Sequence, residues 1–191
     1  MSATRIAIIM GSTRQGRFCD LPTAWIREVG ARRPDLQLDV LDLRDHPLPF
    51  FDEPAAPAAA PPRHPAAQAW AATLAPYDGF IFVTPEYNHA VPAVLKNAID
   101  YVTREWTRKP AAFVGYGSAG AARAVQTLRL SLLALRMAPI ARAVHLMASD
   151  IAAVKDGKRL TDLAHLEAAA NTLFDELLWW SAALKAARAA G

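Results

Sequence analysis

The sequence predicts an α/β protein whose core is an open, parallel, doubly wound sheet of five strands. Strand-like and helix-like segments alternate along the chain in the order β-α-β-α-β-α-β-α-β-α, which is typical of such a sheet. The first and third strand segments are apolar throughout, as expected for strands that are buried on both faces. A chain of 191 residues with 53% hydrophobic and 20% charged residues can bury one full core, so we expect a single domain over residues 1–191.

The spacing of apolar residues predicts the individual elements. The five strands cover residues 4–10, 36–43, 79–84, 111–116 and 140–146. The helices cover residues 20–31, 66–74 and 91–104, a segment that follows Gly120 and ends near residue 136, and residues 162–187. Segment 36–43 alternates apolar and polar residues, which indicates a strand near the sheet edge. Asp20 is expected to be the N-cap of the first helix, and Pro22 and Pro92 are expected in the first turns of their helices.

Residues 46–65 differ in composition from the rest of the chain. Seven of the 14 prolines lie there, among alanines, and this excludes a helix or a central strand. We expect a long loop over the face of the domain, with Phe50 and Phe51 packed against it. Long loops in compact domains are often functional, although a flexible surface excursion explains the alanine-rich second half equally well.

The loop that follows the first strand has the composition of an anion-binding site. It reads Gly-Ser-Thr-Arg-Gln-Gly-Arg over residues 11–17 and leads into a predicted helix. Free backbone N–H groups and the positive end of the helix meet there, Ser12 and Thr13 add hydroxyl donors, and Arg14 and Arg17 add charge. These groups suit the dianionic phosphate of a monoester such as FMN. An ordinary turn with solvated arginines is the alternative, because short motifs often match by chance.

Two other phosphate-binding motifs are excluded. The loop lacks the Gly-Lys-Ser/Thr ending that holds Mg²⁺ in nucleoside-triphosphate loops. It also lacks the three-glycine dinucleotide fingerprint, and Asp39 and Asp42 are too far along the chain to match its acidic residue easily.

Three unusual loops are predicted to meet at one edge of the sheet. In a parallel sheet of strand order 2-1-3-4-5, strands one, three and four are neighbours. The loops that leave them cover residues 11–17, 85–90 and 116–120. Ligands of doubly wound sheets bind beyond the carboxyl ends of the strands, so this convergence favours a binding site over three unrelated turns.

Composition excludes several other classes of function. A net charge of +3 gives little support to nucleic-acid binding, and no apolar run reaches the roughly 18 residues that a membrane span needs. Cys19 is the single cysteine, so an intrachain disulfide is impossible and a cytoplasmic protein is expected. Met1 leads directly into the first strand, so no signal peptide is expected. The sequence holds no cysteine–histidine cluster for a metal.

Two motifs resemble a known family. They are Gly-Ser-Thr-Arg-x-Gly-Arg at 11–17 and Thr-Pro-Glu-Tyr-Asn-His-x-Val-Pro-x-x-Leu-Lys-Asn-Ala-Ile-Asp-Tyr at 84–101. With the glycine turn after the fourth strand, they resemble the NADPH-dependent FMN reductases over about residues 5–140. Relatives of that family include chromate, quinone and azo-dye reductases of flavodoxin-like fold, a three-layer α/β/α sandwich.

The resemblance implies bound FMN, NADPH or NADH as co-substrate, and hydride transfer to a small-molecule electron acceptor. Such transfer needs no protein nucleophile, so no catalytic residue is assigned. The residues that the resemblance implies around FMN are Ser12, Thr13, Arg14 and Arg17 at the phosphate, Cys19 beside them, Pro85, Glu86, Tyr87 and Asn88 along the ring and ribityl chain, and Tyr116, Gly117 and Ser118 at the ring edge. The Asp-x-Pro-Leu-Pro motif at 45–49 lies beside the substrate pocket in the family.

The resemblance also implies a homodimer or a tetramer, with the region of helix 91–104 helping to build the dimer. Trp179 and Trp180 are neighbours on one helix and point about 100° apart, so both are not expected to enter one core stripe. One of them could serve an interface, or could be a half-buried residue at the helix edge.

Two other functions remain open at this level. An FMN-carrying electron-transfer module without its own NAD(P)H activity is one, although such carriers are usually acidic and this chain has a pI of about 9.2. A binding module for an adenine dinucleotide is the other, and the missing fingerprint argues against it.

Overall fold

The structure is a computed structural model that describes residues 3–190. Each strand is short, and each is followed by a helix. The strands are β1 (Thr4–Met10), β2 (Leu36–Asp42), β3 (Gly79–Pro85), β4 (Pro110–Tyr116) and β5 (Ala138–Leu146). The helices are α1 (Asp20–Gly30), α2 (Pro65–Leu74), α3 (Ala93–Asp100), α4 (Ala122–Ala134), α5 (Ala148–Lys155) and α6 (Ala164–Ala189), with a 3₁₀ turn at Leu160–Asp162.

The five strands form one parallel sheet in the order β2-β1-β3-β4-β5, which confirms the predicted fold class and strand order. The last residues of neighbouring strands lie side by side. Met10 pairs with Asp42 of β2 and with Val83 of β3, and Pro85 pairs with Tyr116 of β4. The loops that leave β1, β3 and β4 therefore start at one edge of the sheet.

Helices cover both faces of the sheet, which gives three layers. Successive strand residues point to opposite faces, so Ile6 and Ile8 pack with α1 and α6, while Ala7 and Ile9 pack with α2, α3 and α4. Trp70 and Trp106 are fully buried on the side of the sheet that contains Ala7 and Ile9, and each indole N–H donates to a backbone carbonyl oxygen. Every residue of β3 and β4 is buried, as expected for central strands.

Three details of the helices correct the expectations from sequence. Helix α1 begins at Asp20 itself and its N-cap is Cys19; the Asp20 carboxylate pairs with Arg17 rather than capping the helix. Helix α3 is shorter than predicted, and Pro92 is its N-cap. Helix α5 was not predicted; its one fully buried residue is Asp150, so the segment lacks an apolar stripe.

Residues 43–64, all within the described chain, form only turns and irregular structure, which confirms the long proline-rich loop. The expected packing is wrong for Phe50, whose side chain is 82% exposed. Phe51 is 37% exposed and its ring meets that of Tyr101 edge to face, with the centroids 5.2 Å apart. The loop is also held through its backbone. Asn97 donates to the Pro49 carbonyl oxygen at 2.7 Å and accepts from the Phe51 N–H at 2.9 Å. Tyr101 donates to the Phe50 carbonyl oxygen at 3.3 Å, so the Phe50 ring is left outside.

The tryptophan pair behaves as expected from helical geometry. Trp179 is 65% exposed, while Trp180 is partly buried against the cluster that contains α1 and α6. The two rings meet edge to face with their centroids 5.1 Å apart. Within residues 3–190, no helix is long and apolar enough to cross a bilayer.

Candidate functional site

A cleft of about 510 Å³ lies at the carboxyl ends of β1, β3 and β4. This volume is within the roughly 300–1,000 Å³ of small-molecule sites. All three predicted loops contribute to its wall, and α5 contributes the remaining side. The lining residues that the sequence had singled out are Ser12, Arg14, Arg17, Pro85, Glu86, Tyr87, Tyr116 and Gly117.

The loop after β1 presents backbone N–H groups to an anion. Among the described residues, the N–H groups of Thr13, Gln15 and Gly16 have no hydrogen-bond acceptor. Gly16 has a φ of +63°, a conformation that glycine adopts without steric cost. Successive free N–H groups in such a loop, next to a helix N-terminus, form a concave anion site.

Arg14 and Arg17 differ in what they can offer a ligand. Arg14 lines the cleft and forms no ion pair with any described residue. Arg17 is buried, and all of its N–H donors are engaged. Its Nε donates to Asp20 at 3.0 Å, and its two terminal nitrogens donate to Asp42, Asp20 and the Ser12 carbonyl oxygen. Hydrogen bonding to Asp42 raises the pKa of the Arg17 guanidinium above its already high value.

Aromatic side chains flank the anion loop. The Tyr87 hydroxyl lies 3.4 Å from Ser12 Oγ, which joins the loop after β3 to the loop after β1. The Tyr87 ring remains 38% exposed beside the cleft, so it offers an apolar face to a planar ligand. Tyr116 is buried, its ring centroid lies 5.5 Å from that of Phe18, and burial raises the pKa of its hydroxyl.

Asn88 occupies a tight turn beyond the cleft wall. Asn88 and His89 have φ values of +51° and +68°, and Tyr87 and Ala90 exchange two backbone hydrogen bonds across them. This is the geometry of a two-residue hairpin turn with both central residues left-handed, in which asparagine is favoured. The turn sets the position of Tyr87.

Glu86 holds the loop after β3 against helix α4. Its carboxylate accepts hydrogen bonds from the backbone N–H groups of Arg123 and Ala124 at 3.1 and 3.2 Å. It also accepts from Arg123 Nε at 2.6 Å, and this hydrogen bond lowers the pKa of Glu86.

The glycine turn after β4 is held by β5. The Gly117 N–H donates to the Leu146 carbonyl oxygen at 3.2 Å, and the His145 imidazole Nδ1 lies 2.7 Å from the Gly120 carbonyl oxygen. Gly120 has a φ of +58°, and a Cβ there would lie 2.7 Å from the Cβ of His145. Gly120 therefore lets the turn pass close to β5.

Four residues that the sequence had singled out are not in the cleft wall: Thr13, Cys19, Asn88 and Ser118. Cys19 is fully buried, with Sγ 3.7 Å from the Val83 carbonyl oxygen, and burial raises the pKa of its thiol. Such a thiol packs the base of the loop.

The structure adds lining residues that sequence reasoning missed. They are Gly16, Phe18, Leu21, Ile151 and Lys155. Lys155 and Ile151 lie on α5, which follows the fifth strand and had no recognisable periodicity. The pair Ser149-Asp150 directly after a strand end, where a helix N-terminus is favoured, was the one available signal. Within the described part of the chain, no group of three metal-ligating side chains occurs.

The fold and this cleft define a flavodoxin-like protein with an anion cradle and an aromatic wall at the switch point of the sheet. The chain belongs to the NADPH-dependent FMN reductase family, whose model matches residues 4–150. It is 38% identical over 141 residues to an NAD(P)H-dependent FMN reductase of Schizosaccharomyces pombe, covering 71% of this chain and 70% of that protein. It is 40% identical over 146 residues to an NAD(P)H-dependent FMN reductase of a Nectria species, covering 71% and 72%.

A solved structure with the same fold is the flavoenzyme NAD(P)H:(acceptor) oxidoreductase of Paracoccus denitrificans. Its TM-score is 0.69 at 25% identity, and the match covers 92% of this chain and 97% of that one. The resemblance noted from the motifs at 11–17 and 84–101 is thus confirmed.

Proposed function

We propose that this protein is an NAD(P)H-dependent FMN oxidoreductase that reduces a small-molecule acceptor. The observation that carries the proposal is the row of free backbone N–H groups beside Arg14, at the carboxyl end of β1 in a member of this family. A phosphate monoester satisfies these donors together. The second requirement of FMN, a surface for its ring, is supplied by Tyr87 and the backbone at Gly117.

Bound FMN would supply the hydride-transfer chemistry that links NAD(P)H to the acceptor. The chain's own residues would bind and orient the cofactor. The free N–H groups of the loop after β1 and the Arg14 guanidinium would hold the phosphate, and Ser12 would add a hydroxyl. Tyr87 packs beside the ring. Reduction of a quinone to a quinol takes one hydride and one proton. Water at the open side of the cleft can supply that proton, so no acid–base side chain is assigned.

The cations of the cleft favour NADPH over NADH. Arg14 and Lys155 both line the wall, and Arg17 has its charge balanced by Asp20 and Asp42. The extra phosphate of NADPH is attracted by whichever of the first two is not engaged by FMN. A quinone is the acceptor class we propose, because a planar ring can enter the same open side of the cleft.

We further propose that residues 1–191 act as one FMN-binding domain, that the protein assembles as a homodimer or tetramer, and that it is cytoplasmic. The exposed Trp179 and Phe50 support the assembly, since large apolar side chains of this exposure are enriched at interfaces. The single cysteine supports the location.

The decisive experiment is a titration with FMN followed by anaerobic reduction. We expect quenching of flavin fluorescence with one FMN bound per chain, and loss of the oxidised flavin absorbance when NADPH is added under nitrogen. Absence of bound flavin after ultrafiltration would overturn the proposal. Binding of FMN without reduction by NADPH or NADH would identify an electron-transfer module instead.

A further inference from the structure

Two arginines hold three consecutive carbonyl groups of the anion loop. Arg17 donates to the Ser12 carbonyl oxygen at 2.6 Å. Arg44 donates from Nε to the Thr13 carbonyl oxygen at 3.4 Å and from a terminal nitrogen to the Arg14 carbonyl oxygen at 2.6 Å. Arg44 lies just beyond β2, so it reaches the loop from another part of the chain.

Because the peptide group is planar, holding these carbonyl groups also fixes the direction of the neighbouring N–H groups. In a trans peptide, the carbonyl of one residue and the N–H of the next point in opposite directions. Holding the carbonyls of Ser12 and Arg14 on the side of the two guanidinium groups therefore aims the N–H groups of Thr13 and Gln15 the other way. Within residues 3–190, neither of these N–H groups has an acceptor.

Asp42 joins the two arginines. Its carboxylate accepts from both terminal nitrogens of Arg17, and its Oδ1 also accepts from the Arg44 backbone N–H at 3.0 Å. Asp42 is the last residue of β2 and lies opposite Met10, the last residue of β1. The register of two adjacent strands thus places the carboxylate directly behind the loop.

The partners of the Arg17 N–H groups show whether Arg17 can bind a ligand directly. A guanidinium has five N–H donors, and those of Arg17 are taken by Ser12, Asp20 and Asp42. None is left for a ligand in this arrangement, whereas Arg14 has no such partners. Arg17 can therefore influence a bound phosphate through the loop rather than by contact.

We propose that Asp42, Arg17 and Arg44 are positioning residues that pre-orient the backbone N–H groups of the loop toward the phosphate of the cofactor. The inference rests on the proposed function for the identity of the ligand. The positioning role itself is a separate claim. It says that recognition of the phosphate depends on a carboxylate and two arginines that act through the loop. Such pre-orientation raises affinity by removing the cost of ordering the loop on binding.

The test compares FMN with riboflavin, which has the same ring and ribityl chain but no phosphate. The variants are Asp42→Asn and Arg44→Ala. Arg44 is exposed, so its replacement leaves the core intact. Fluorescence titration is expected to show FMN affinity reduced roughly tenfold in each variant, with riboflavin affinity unchanged. Arg44→Lys is expected to restore part of the loss, since one ammonium can reach one carbonyl.

Asp39→Asn is the matched control, because Asp39 lies on the same strand and pairs with Arg5, away from the loop. It is expected to leave both affinities unchanged. Equal losses for FMN and riboflavin in Asp42→Asn and Arg44→Ala, or an unchanged ratio, would overturn the positioning role while wild-type FMN binding still stood. If the wild-type chain binds neither flavin, the proposed function fails first and the positioning role fails with it.

Discussion

Glu86 and Arg123 are joined by two hydrogen bonds, one from the Arg123 side chain at 2.6 Å and one from its backbone N–H at 3.1 Å. Helix α4 begins after Ala121, which has a φ of +56° and offers no capping side chain within the described structure. A residue of the loop after β3 therefore caps the helix that follows β4. This contact fixes two walls of the cleft relative to each other.

We expect Glu86→Ala to lower the free energy of unfolding by about 1–2 kcal/mol, as loss of an N-cap does. Glu86→Gln keeps the shape and one acceptor, so a smaller loss is expected. Chemical denaturation at pH 7 measures both. Glu28→Ala, which removes an exposed carboxylate paired only with Arg32, is the control and should change stability little.

The same contact has a defined pH dependence. The Arg123 side chain holds the pKa of Glu86 below its usual 4.5, so the folded state favours the ionised form. This contribution is present above the unfolded-state pKa and is lost as the pH falls through the folded-state pKa. The stability difference between wild type and Glu86→Gln should therefore shrink below pH 4.5. A difference that stays constant to low pH would contradict the assignment.

Arg14 is expected to contact the phosphate directly. Arg14→Ala should weaken FMN binding by roughly ten- to a hundred-fold, since a charge-assisted contact contributes about 1.5–3 kcal/mol. Riboflavin binding should not change, and the melting temperature should stay near that of the wild type. Arg63→Ala, at an exposed position in the proline-rich loop, is the control. Wild-type FMN affinity in Arg14→Ala would mean that this side chain points to solvent.

Lys109 is expected to make stability rise with pH. Burial, assisted by the charge of Arg188 and opposed by those of Asp78 and Glu105, lowers its pKa from 10.5 to about 8. Its Nζ donates to the Ala75 carbonyl oxygen at 3.1 Å. Between pH 8 and 10 the unfolded chain binds this proton and the folded chain does not, so the folded state gains stability over that range.

The measurement is denaturation of wild type and Lys109→Met at pH 7, 8, 9 and 10. The difference in the free energy of unfolding should move in favour of the wild type by roughly 2 kcal/mol between pH 8 and 10. Lys158→Met, at an exposed position, should give a difference that does not vary with pH. The same flat result for Lys109→Met would show that its ammonium stays charged over this range.

The strands of the sheet could be predicted well because each one is recognised from a short run of neighbouring residues. Strands β1 and β3 are continuous apolar runs, and the loops after them contain residues that we propose bind a phosphate. Asp42 is an example of a contact that the local sequence could not predict. It was set aside because its distance along the chain did not fit a dinucleotide motif, yet the pairing of β2 with β1 places it against Arg17.

The other errors have the same origin. Phe50 was expected inside because it is large and apolar, but Asn97 and Tyr101 hold the backbone around it and leave the ring exposed. Helix α5 has Asp150 as its buried residue, held by His165 at 3.1 Å, while its Ile151 and Val154 are only partly buried against the core. None of these contacts can be inferred from periodicity.

The assembly is expected to contain at least two chains. Light scattering at micromolar concentration with FMN present should give twice the chain mass of 20.7 kDa, or four times for a tetramer. Trp179→Ser should shift the protein toward smaller species. The Trp179 side chain is 65% exposed in the single chain, so an interface that covers it would lose this apolar contact in the variant. Leu130→Ser, also exposed but on α4, is the comparison. A monomer mass for the wild type would rule out this assembly.

Steady-state kinetics are expected to follow a ping-pong pattern. The cleft of about 510 Å³ is closed by buried residues on the side of Tyr116 and open beside Tyr87. With the cofactor in place, we expect the open side to admit one further ring system at a time, so that NADPH leaves before the acceptor binds. Double-reciprocal plots with NADPH varied at several fixed quinone concentrations should give parallel lines. Intersecting lines would mean that both substrates bind together, and the single-opening interpretation would then be wrong.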